Sequence, residues 1–376
     1  TCKIRDNDKC PPWLLKADEI NHDKKRKIIE YKNAWLNLYD MPVLYFPYFH
    51  HPDPTVKRQS GFLLPQFNNS KVLGTSVQIP YFKVISGNKD FTISPRLFLN
   101  DKLLLQSEYR QANQNSDFIF DNSFLRTNEQ TTSHFFTNFY KTIEDDFFEI
   151  NIESVSNRNY LKKYDISSPI INDKSYLNSY ISYEKNFSDS FFFSSAAVFE
   201  DLTKDSHDSY EYIYPNYIFN KDIYTNYGML ELNSKGHQTK YETNRYDGLI
   251  VNDINFMSNL NFTNKYLLNN YSLIFKNVNS RGENSNNFKE GNDNKLLAEY
   301  IFNSSLPFIK KEEKYSSYFT PKLSLRLSPT ETRNISTDDL RVDYANLFST
   351  NRISLDDALE GGESVTLGSE YSFRNK

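Results

Sequence analysis

The sequence predicts an all-β protein: the end of a β-jelly-roll, followed by part of a large antiparallel transmembrane β-barrel. Aromatic residues make up 16% of the chain, with 30 Phe and 27 Tyr, although the mean hydropathy is as polar as -0.68. No apolar run reaches the ~18 residues of a membrane-spanning helix. Strands that are apolar outside and polar inside, with aromatic girdles at the membrane interfaces, reconcile these observations.

The barrel prediction depends on strict alternation of apolar and polar residues. Phe148, Ile150 and Ile152 fall on one face of a predicted strand, and the intervening Glu149, Asn151 and Glu153 fall on the other. Similar alternation recurs at 177–184, 254–263 and 323–328. A soluble β-sandwich also alternates, but the scarcity of Gly and the long polar connector at 279–295 favour the outer-membrane pattern.

The N-terminal region is predicted to be a separate small β module. The short β-rich pieces "KIIEY", "AWLNLY" and "PVLYF" lie between charged turns and are typical of a jelly-roll edge. Five prolines within 42–65 interrupt strand pairing and mark a domain boundary. The sequence therefore predicts a small β module, with the pattern of a sandwich or jelly-roll edge, ahead of a separate barrel region.

Charge and chain ends narrow the class of protein further. The formal net charge of -4 lacks the basic footprint of a nucleic-acid binder, so no nucleic-acid partner is expected. The opening "TCKIRDNDKC" has no apolar signal segment, and "EYSFRNK" at the end stops within a strand pattern. We therefore expect an internal part of a longer protein.

The sequence carries little that indicates catalysis. The six histidines form no zinc-hydrolase motif, and no nucleophile elbow or phosphate-binding glycine loop is present. The acidic runs at 144–146 and 338–339 fit solvated turns better than paired glycosidase carboxylates. We predict a protein that is not an enzyme and has no cofactor or metal. Inward Glu149, Glu153 and Arg326 either hydrate a barrel interior or guide an amphiphile with a charged head group.

The two cysteines, Cys2 and Cys10, are candidates for a disulfide. With no nearby Cys/His pair they do not complete a four-ligand zinc site. A reduced thiol, a Cys2–Cys10 bond and a bond to another part of the protein all remain open.

Three separated motifs resemble the LptD family of lipopolysaccharide assembly proteins, also called OstA or Imp. "PVLYFPYFHHPDPTVKRQSGFLLPQF", "SVQIPYF" and "DFTISPRLF" are similar to the start of that family's barrel. The preceding segment from "WLLKADEINH" resembles the end of its jelly-roll. The resemblance thus implies that residues 1–50 are the last strands of the periplasmic jelly-roll and that residues 51–376 are the first and middle parts of an incomplete barrel. "PKLSLRLSP", "DYANLFSTNRI" and "EGGESVTLGSEYSF" are similar to its mid-barrel motif, whereas residues 100–310 share only the alternation.

The resemblance implies a function in the Gram-negative cell envelope. The jelly-roll, in the periplasm, would receive lipopolysaccharide from an LptA-like bridge protein. The barrel, in the outer membrane and plugged by an LptE-like lipoprotein, would pass the lipid sideways through a seam into the outer leaflet, in contact with membrane lipid. A general outer-membrane porin or receptor is the alternative, and a secreted β-sandwich hydrolase or adhesin is a third possibility.

The resemblance also assigns roles to individual residues. Pro65 and Pro80 match the family's two seam prolines, and each would remove a hydrogen-bond donor from the strand pairing that has to open as a lateral gate. Without the resemblance, prolines here would end strands or protect a sheet edge. Cys2 matches a family cysteine that is bonded to the far end of the barrel, and Cys10 fits that pattern less readily.

Overall fold

The protein is all-β, as predicted. A computed structural model describes residues 13–38, 41–70, 73–99, 102–126, 131–204, 208–263, 266–331, 342–353 and 355–375, which form 24 strands and one short helix. Cys2 and Cys10 lie outside the described residues. The chain divides into two compact units, Thr1–Tyr109 and Arg110–Lys376. The assignment of 1–50 and 51–376 to two domains stays a prediction.

Within the described ranges, no helix is both long enough and apolar enough to cross a membrane.

The first unit begins with a four-stranded antiparallel sheet. Its strands are β1 (Trp13–Lys16), β2 (Glu19–Asp23), β3 (Ile28–Leu38) and β4 (Met41–Pro52). β3 is central, with β1 and β2 pairing along one side and β4 along the other. Most of two predicted short pieces, "KIIEY" and "AWLNLY", lies in the single strand β3. Asn33, at a φ of 51°, marks their junction.

The interruption by prolines begins later than predicted. Pro42, Pro47 and Pro52 all lie within β4, which pairs with β3 alone among the described strands. An edge strand has one side free of ladder bonds, so it tolerates residues that cannot donate. The strand ends at Pro52. The carboxylate of the next residue, Asp53, accepts hydrogen bonds from the Thr55 backbone N–H at 2.8 Å and the Thr55 hydroxyl at 2.7 Å.

A second group of strands in this unit carries the predicted gate residues. It comprises β5 (Gly61–Phe62), β6 (Gln66–Ser70), β7 (Gly74–Gln78), β8 (Tyr81–Ser86) and β9 (Lys89–Phe98). β5 pairs with β8 and β6 pairs with β7, while both β7 and β8 pair with β9. β5–β6 and β7–β8 are therefore two long strands, each broken near its middle. β10 (Leu103–Ala112) crosses the division between the units.

The second unit is an up-and-down antiparallel sheet of strands paired in chain order. The strands are β11 (Ser116–Arg126), β12 (Thr131–Ile143), β13 (Asp146–Val155), β14 (Tyr176–Asn186), β15 (Ser190–Asp201), β16 (Tyr210–Tyr224), β17 (Gly228–Tyr241), β18 (Tyr246–Ser258), β19 (Asn261–Thr263), β20 (Leu267–Glu283), β21 (Gly291–Ser305), β22 (Phe308–Lys311), β23 (Tyr315–Ser328) and β24 (Gly362–Asn375). The helix α1 (Tyr160–Lys163) lies between β13 and β14. β18 and β19 both pair with β20, and β21 and β22 both pair with β23, so each pair is one interrupted strand.

The register places the predicted apolar and polar residues on opposite faces of this sheet. Ile150 lies opposite Phe139 and Ile181, whereas Glu149 lies opposite Tyr140 and Ser182. Followed strand by strand, one face, here called the outer face, carries large exposed apolar side chains: Phe124, Phe135, Ile152, Ile181, Ile254, Phe275, Leu296, Phe319, Leu327, Val365, Leu367, Tyr371 and Phe373. The opposite, inner face carries buried polar residues such as Asn151, Lys276, Glu299 and Arg326. An exposed apolar face with a polar reverse side is the pattern of a membrane barrel wall.

Candidate functional site

The predicted gate residues Pro65 and Pro80 lie at the breaks in the two long strands. Pro65 is exposed between β5 and β6, and Pro80 is buried between β7 and β8. Phe62 is opposite Tyr81 on one side of the breaks, and Gln66 is opposite Gln78 on the other. Three residues, 63–65, therefore face two, 79 and 80. This mismatch of one residue is a β-bulge, which bends and twists a strand pair locally.

The pairing at Pro80 is only half made. The backbone N–H of Leu63 donates to the carbonyl oxygen of Pro80 at 2.8 Å. In an antiparallel sheet, residues of a hydrogen-bonded pair exchange two such bonds. Because proline has no N–H, the return bond from Pro80 to Leu63 is missing.

A third proline, Pro95, sits at the same level in β9. Val77 is opposite Leu97 and Tyr81 is opposite Ile93, so Ile79 is opposite Pro95. The N–H of Ile79 donates to the carbonyl of Pro95 at 3.1 Å, and again no bond returns. We call the band formed by residues 63–65, 79–80 and 94–95 the proline crease. Sequence reasoning missed Pro95. The available signal was the spacing of the three prolines, since Pro65, Pro80 and Pro95 follow one another at intervals of 15 residues.

The ladders on both sides of the proline crease are regular. On one side Ser76–Gln78 pairs with Arg96–Phe98, and on the other Tyr81–Val84 pairs with Asp90–Ile93. Polar side chains lie next to the crease, where Gln66, Gln78 and Arg96 occupy one crosswise row. Arg96 donates from Nε to the Ser76 hydroxyl at 2.9 Å. The defects are thus confined to a narrow band.

A second feature lies in the other unit, where residues 342–353 and 355–361, here called the covering segment, lie against the inner face of β18–β24. The guanidinium of Arg326 on β23 forms an ion pair with Glu299 on β21, and both side chains are at least 95% buried. The same guanidinium donates to the carbonyl oxygens of Ser349 at 2.8 Å and Thr350 at 3.0 Å. One buried cation therefore joins the sheet to the covering segment.

Lysines of the same face hold the next part of the covering segment. Lys276 Nζ lies 2.7 Å from Asp253 Oδ1 and donates to the backbone carbonyl of Asp356 at 2.8 Å. Lys235 Nζ lies 2.6 Å from the Asp356 carboxylate. Leu359 packs with the buried Ile274 and Ile301. The contact is therefore both ionic and apolar.

The motif residues of this segment meet in space. Arg352 donates through Nε to Glu360 at 2.7 Å, pairs with it again through Nη2, and reaches the Ser364 hydroxyl at 2.9 Å. Phe348 lies directly over Gly368, where a β-carbon would come within 2.7 Å of the ring. Gly362 has a φ of +84°, which explains a glycine at this position. The Asn-Leu-Phe, Asn-Arg and Glu-Gly-Gly elements thus build one folded connection.

The inward carboxylates singled out in the sequence are engaged in polar networks. Glu149 accepts hydrogen bonds from the Tyr180 hydroxyl at 2.7 Å and from Asn138 Nδ2 at 3.0 Å. Glu153 accepts from the Asn178 backbone N–H and from Asn151 Nδ2, both at 2.8 Å. Glu144 and Asp145 form the turn between β12 and β13, as predicted, whereas 338–339 lie outside the described residues.

One constellation resembles hydrolase chemistry and escaped sequence reasoning. Ser123 Oγ lies 2.6 Å from His134 Nδ1, and His134 Nε2 lies 3.4 Å from Asp121 Oδ2 without a hydrogen bond among the described residues. Ser123 is fully buried, and its hydroxyl also bonds the Tyr160 hydroxyl of α1 at 2.6 Å. A nucleophile needs space for a reacting carbonyl beside it. This arrangement instead fastens α1 to the sheet.

Within the described ranges, no cluster of three or more His, Cys, Asp or Glu side chains is arranged to hold a metal ion.

Comparisons with known proteins give one consistent set of relatives. An LPS-assembly protein LptD of Pseudoalteromonas translucida is 37% identical over 119 residues, 32% of this chain and 16% of that protein. The LptD of Nitrosomonas europaea is 31% identical over 166 residues, 43% of this chain and 22% of the relative. That of Shewanella frigidimarina is 35% identical over 130 residues, 33% and 17% respectively. The matched part thus spans less than a quarter of these relatives' length.

Two other comparisons add little. No family model matches the chain. A solved structure titled bacterial polysaccharide outer membrane secretin covers 80% of this chain and 90% of its own, but its TM-score of 0.25 and 8% identity carry no argument about the fold. Over the matched residues the chain is similar to LptD proteins, in agreement with the motifs quoted above and as its sequence predicted.

Proposed function

We propose that this chain is part of an outer-membrane protein that moves lipopolysaccharide into the outer leaflet of the outer membrane. The observation that carries the proposal is the sheet of the second unit, whose outer face exposes apolar side chains and whose inner face is polar. Such a wall faces hydrocarbon on one side and water or a polar head group on the other. The relatives, each named an LPS-assembly protein, supply the substrate class.

The proposed exit for the lipid is the strand group that contains the proline crease. An amphiphile that leaves a barrel sideways must pass between strands, and each missing ladder bond lowers the cost of parting them. Pro80 supports this role because its pair with Leu63 has one bond in place of two. At about 0.5–1.5 kcal/mol for each bond, the weakening is modest but local.

The partners follow from the same proposal. A periplasmic bridge protein similar to LptA would deliver lipopolysaccharide to the first unit, and a lipoprotein similar to LptE would occupy the lumen of the complete barrel. Neither role requires chemistry at a reacting atom, and the protein is proposed to be a transporter rather than an enzyme. The first strands would then lie on the periplasmic side.

Depletion of the full-length protein in cells tests the function. We expect newly made lipopolysaccharide to stay inaccessible to a surface-acting modifying enzyme, because its route outward has been removed. A general porin predicts a different result, in which surface lipopolysaccharide is unchanged and uptake of small solutes falls. That second result would refute the proposal.

Replacement of the predicted gate residues tests the exit. Pro80→Ala provides an N–H that faces the Leu63 carbonyl, and Pro65→Ala removes the fixed φ at the bulge. We expect both variants to slow surface delivery while assembling at normal levels. Wild-type delivery rates in both would place the exit elsewhere.

A further inference from the structure

The proline crease extends one strand farther than a two-proline gate requires. Pro95 lies in β9, and its carbonyl accepts the N–H of Ile79 at 3.1 Å. No irregularity separates β7–β8 from β9 here, because Val77–Leu97 and Tyr81–Ile93 belong to one continuous register. A residue with an N–H at position 95 would face the Ile79 carbonyl and complete the pair.

The two half-made pairs are linked through consecutive residues of one strand. Ile79 directs its backbone toward β9, and Pro80 directs its backbone toward Leu63 on the other side. The strand between them is therefore held by one bond on each side within the proline crease. The bulge at 63–65 lies at the same level. Three neighbouring strands are weakened along a single crosswise line.

A sheet bends along a line only when adjacent strands yield at the same level. If β9 made complete pairs with β7–β8 at this level, its regular ladder would keep β5–β6 and β7–β8 from bending. The missing bond at Pro95 removes that constraint. Regular ladders above and below leave two stiff parts joined by the crease.

We propose that Pro95 is a positioning residue of the transport step, and that the strands bend as a unit along the proline crease instead of parting only at one seam. The half that moves comprises the β6–β7 hairpin with the end of β9, Arg96–Phe98. This inference rests on the proposed function and extends it from two residues to three.

The structure offers a matched control at another proline. Pro321 in β23 also accepts a backbone N–H, from Leu306 at 3.1 Å, at the break between β21 and β22. It is a half-made pair of the same kind in the other unit, outside the proline crease. Pro321→Ala therefore reproduces the chemical change without touching the crease.

The test uses the full-length protein in cells depleted of the wild-type copy. Pro95→Ala should lower the rate at which pulse-labelled lipopolysaccharide reaches the surface by about two- to twelvefold, the range expected for one added backbone hydrogen bond. Pro321→Ala should leave the rate at the wild-type value, because it adds a bond of the same kind outside the proline crease. Hydrogen exchange at the Ile79 amide in the purified protein should slow in Pro95→Ala alone.

The possible outcomes distinguish the proposed function from the proposed role of Pro95. If depletion leaves surface lipopolysaccharide unchanged, the proposed function is wrong. If delivery depends on the protein but Pro95→Ala delivers at the wild-type rate, the role of Pro95 is wrong and the function stands. Pro95→Val, which also restores the N–H, takes the place of Pro95→Ala if the alanine variant fails to assemble. An equal loss in Pro321→Ala would also overturn the inference, since it would show a general effect of replacing strand prolines.

Discussion

Removing one partner of the Arg326–Glu299 pair should loosen both the sheet and the covering segment. The change is Arg326→Met, which keeps most of the side-chain volume and removes the charge. Glu299 would remain 99% buried with its ion-pair partner gone. Truncating one member of such a pair costs about 3–5 kcal/mol, mostly because an uncompensated charge stays buried.

Two matched variants separate the pair from its neighbours. Glu299→Met leaves Arg326 with the carbonyls of Ser349 and Thr350, so its cost should be smaller, about 1–3 kcal/mol. The double variant removes both members of the pair and should lose less than the sum of the singles. A coupling energy of about 0.5–3 kcal/mol is expected for residues in direct contact.

Hydrogen exchange measured by mass spectrometry on the detergent-solubilised protein reads out these costs. Peptides from β21 and β23 should exchange roughly a hundred to several thousand times faster in Arg326→Met, since each 1.4 kcal/mol is about a factor of ten. Peptides from 342–353 should lose protection in the same variant. Additive effects of the two single changes would contradict the expected coupling, because they would mean that the buried charges of Arg326 and Glu299 do not depend on each other.

Three further predictions address residues 53–60, the two faces of the sheet and the covering segment. The pKa of Asp53 is lowered to about 2, mainly by hydrogen bonds from the Thr55 hydroxyl and backbone N–H. The ionised Asp53 carboxylate therefore stabilises the folded segment above the ordinary pKa of 3.8, and this contribution is lost as the pH falls through about 2. Pepsin cleavage at 53–60, relative to the free peptide, should rise between pH 4 and pH 2, and Asp53→Asn should abolish that rise. Ile254→Arg on the outer face should destabilise the membrane-inserted barrel by about 2–4 kcal/mol and the adjacent inner-face Asn255→Arg by under about 1 kcal/mol, measured by unfolding in lipid vesicles, and equal effects would contradict the assignment of faces. Gly368→Ala should displace the Phe348 ring and speed exchange at 342–353, whereas unchanged exchange would show that the ring is not needed to hold the segment.

Strand faces could be predicted from sequence because the period of two needs no tertiary information. Phe148, Ile150 and Ile152 fall on the outer face simply because neighbouring side chains point to opposite sides. The same logic placed Leu323, Leu325 and Leu327 on the outer face and Arg326 on the inner face. Alternation predicts a face wherever the strand is regular.

Pairings between distant residues could not be predicted in the same way. The contact of Arg326 with Glu299 depends on the register of β21 against β23. Backbone hydrogen bonds set that register, and the residue types in the two strands do not reveal it. The grouping of Ser123, His134 and Tyr160 likewise requires α1 to fold back onto β11 and β12. Pro42 and Pro47 show that a local pattern can also mislead. Prolines predict interruptions of strand pairing, yet both lie within the edge strand β4, which tolerates residues that cannot donate.

The weakening of strand pairing at the proline crease is of a size that suits the proposed gate, which must stay closed at rest and still open. Two half-made pairs forgo about 1–3 kcal/mol of pairing, a factor of roughly 5 to 150 in the population of an opened state. That amount is small beside the stability carried by the regular ladders on both sides, so the sheet keeps its register. It exceeds thermal energy, so the proposed bending would be concentrated where the donors are missing. A gate built from weaker strands throughout would also expose unpaired edges to aggregation, which a narrow crease avoids.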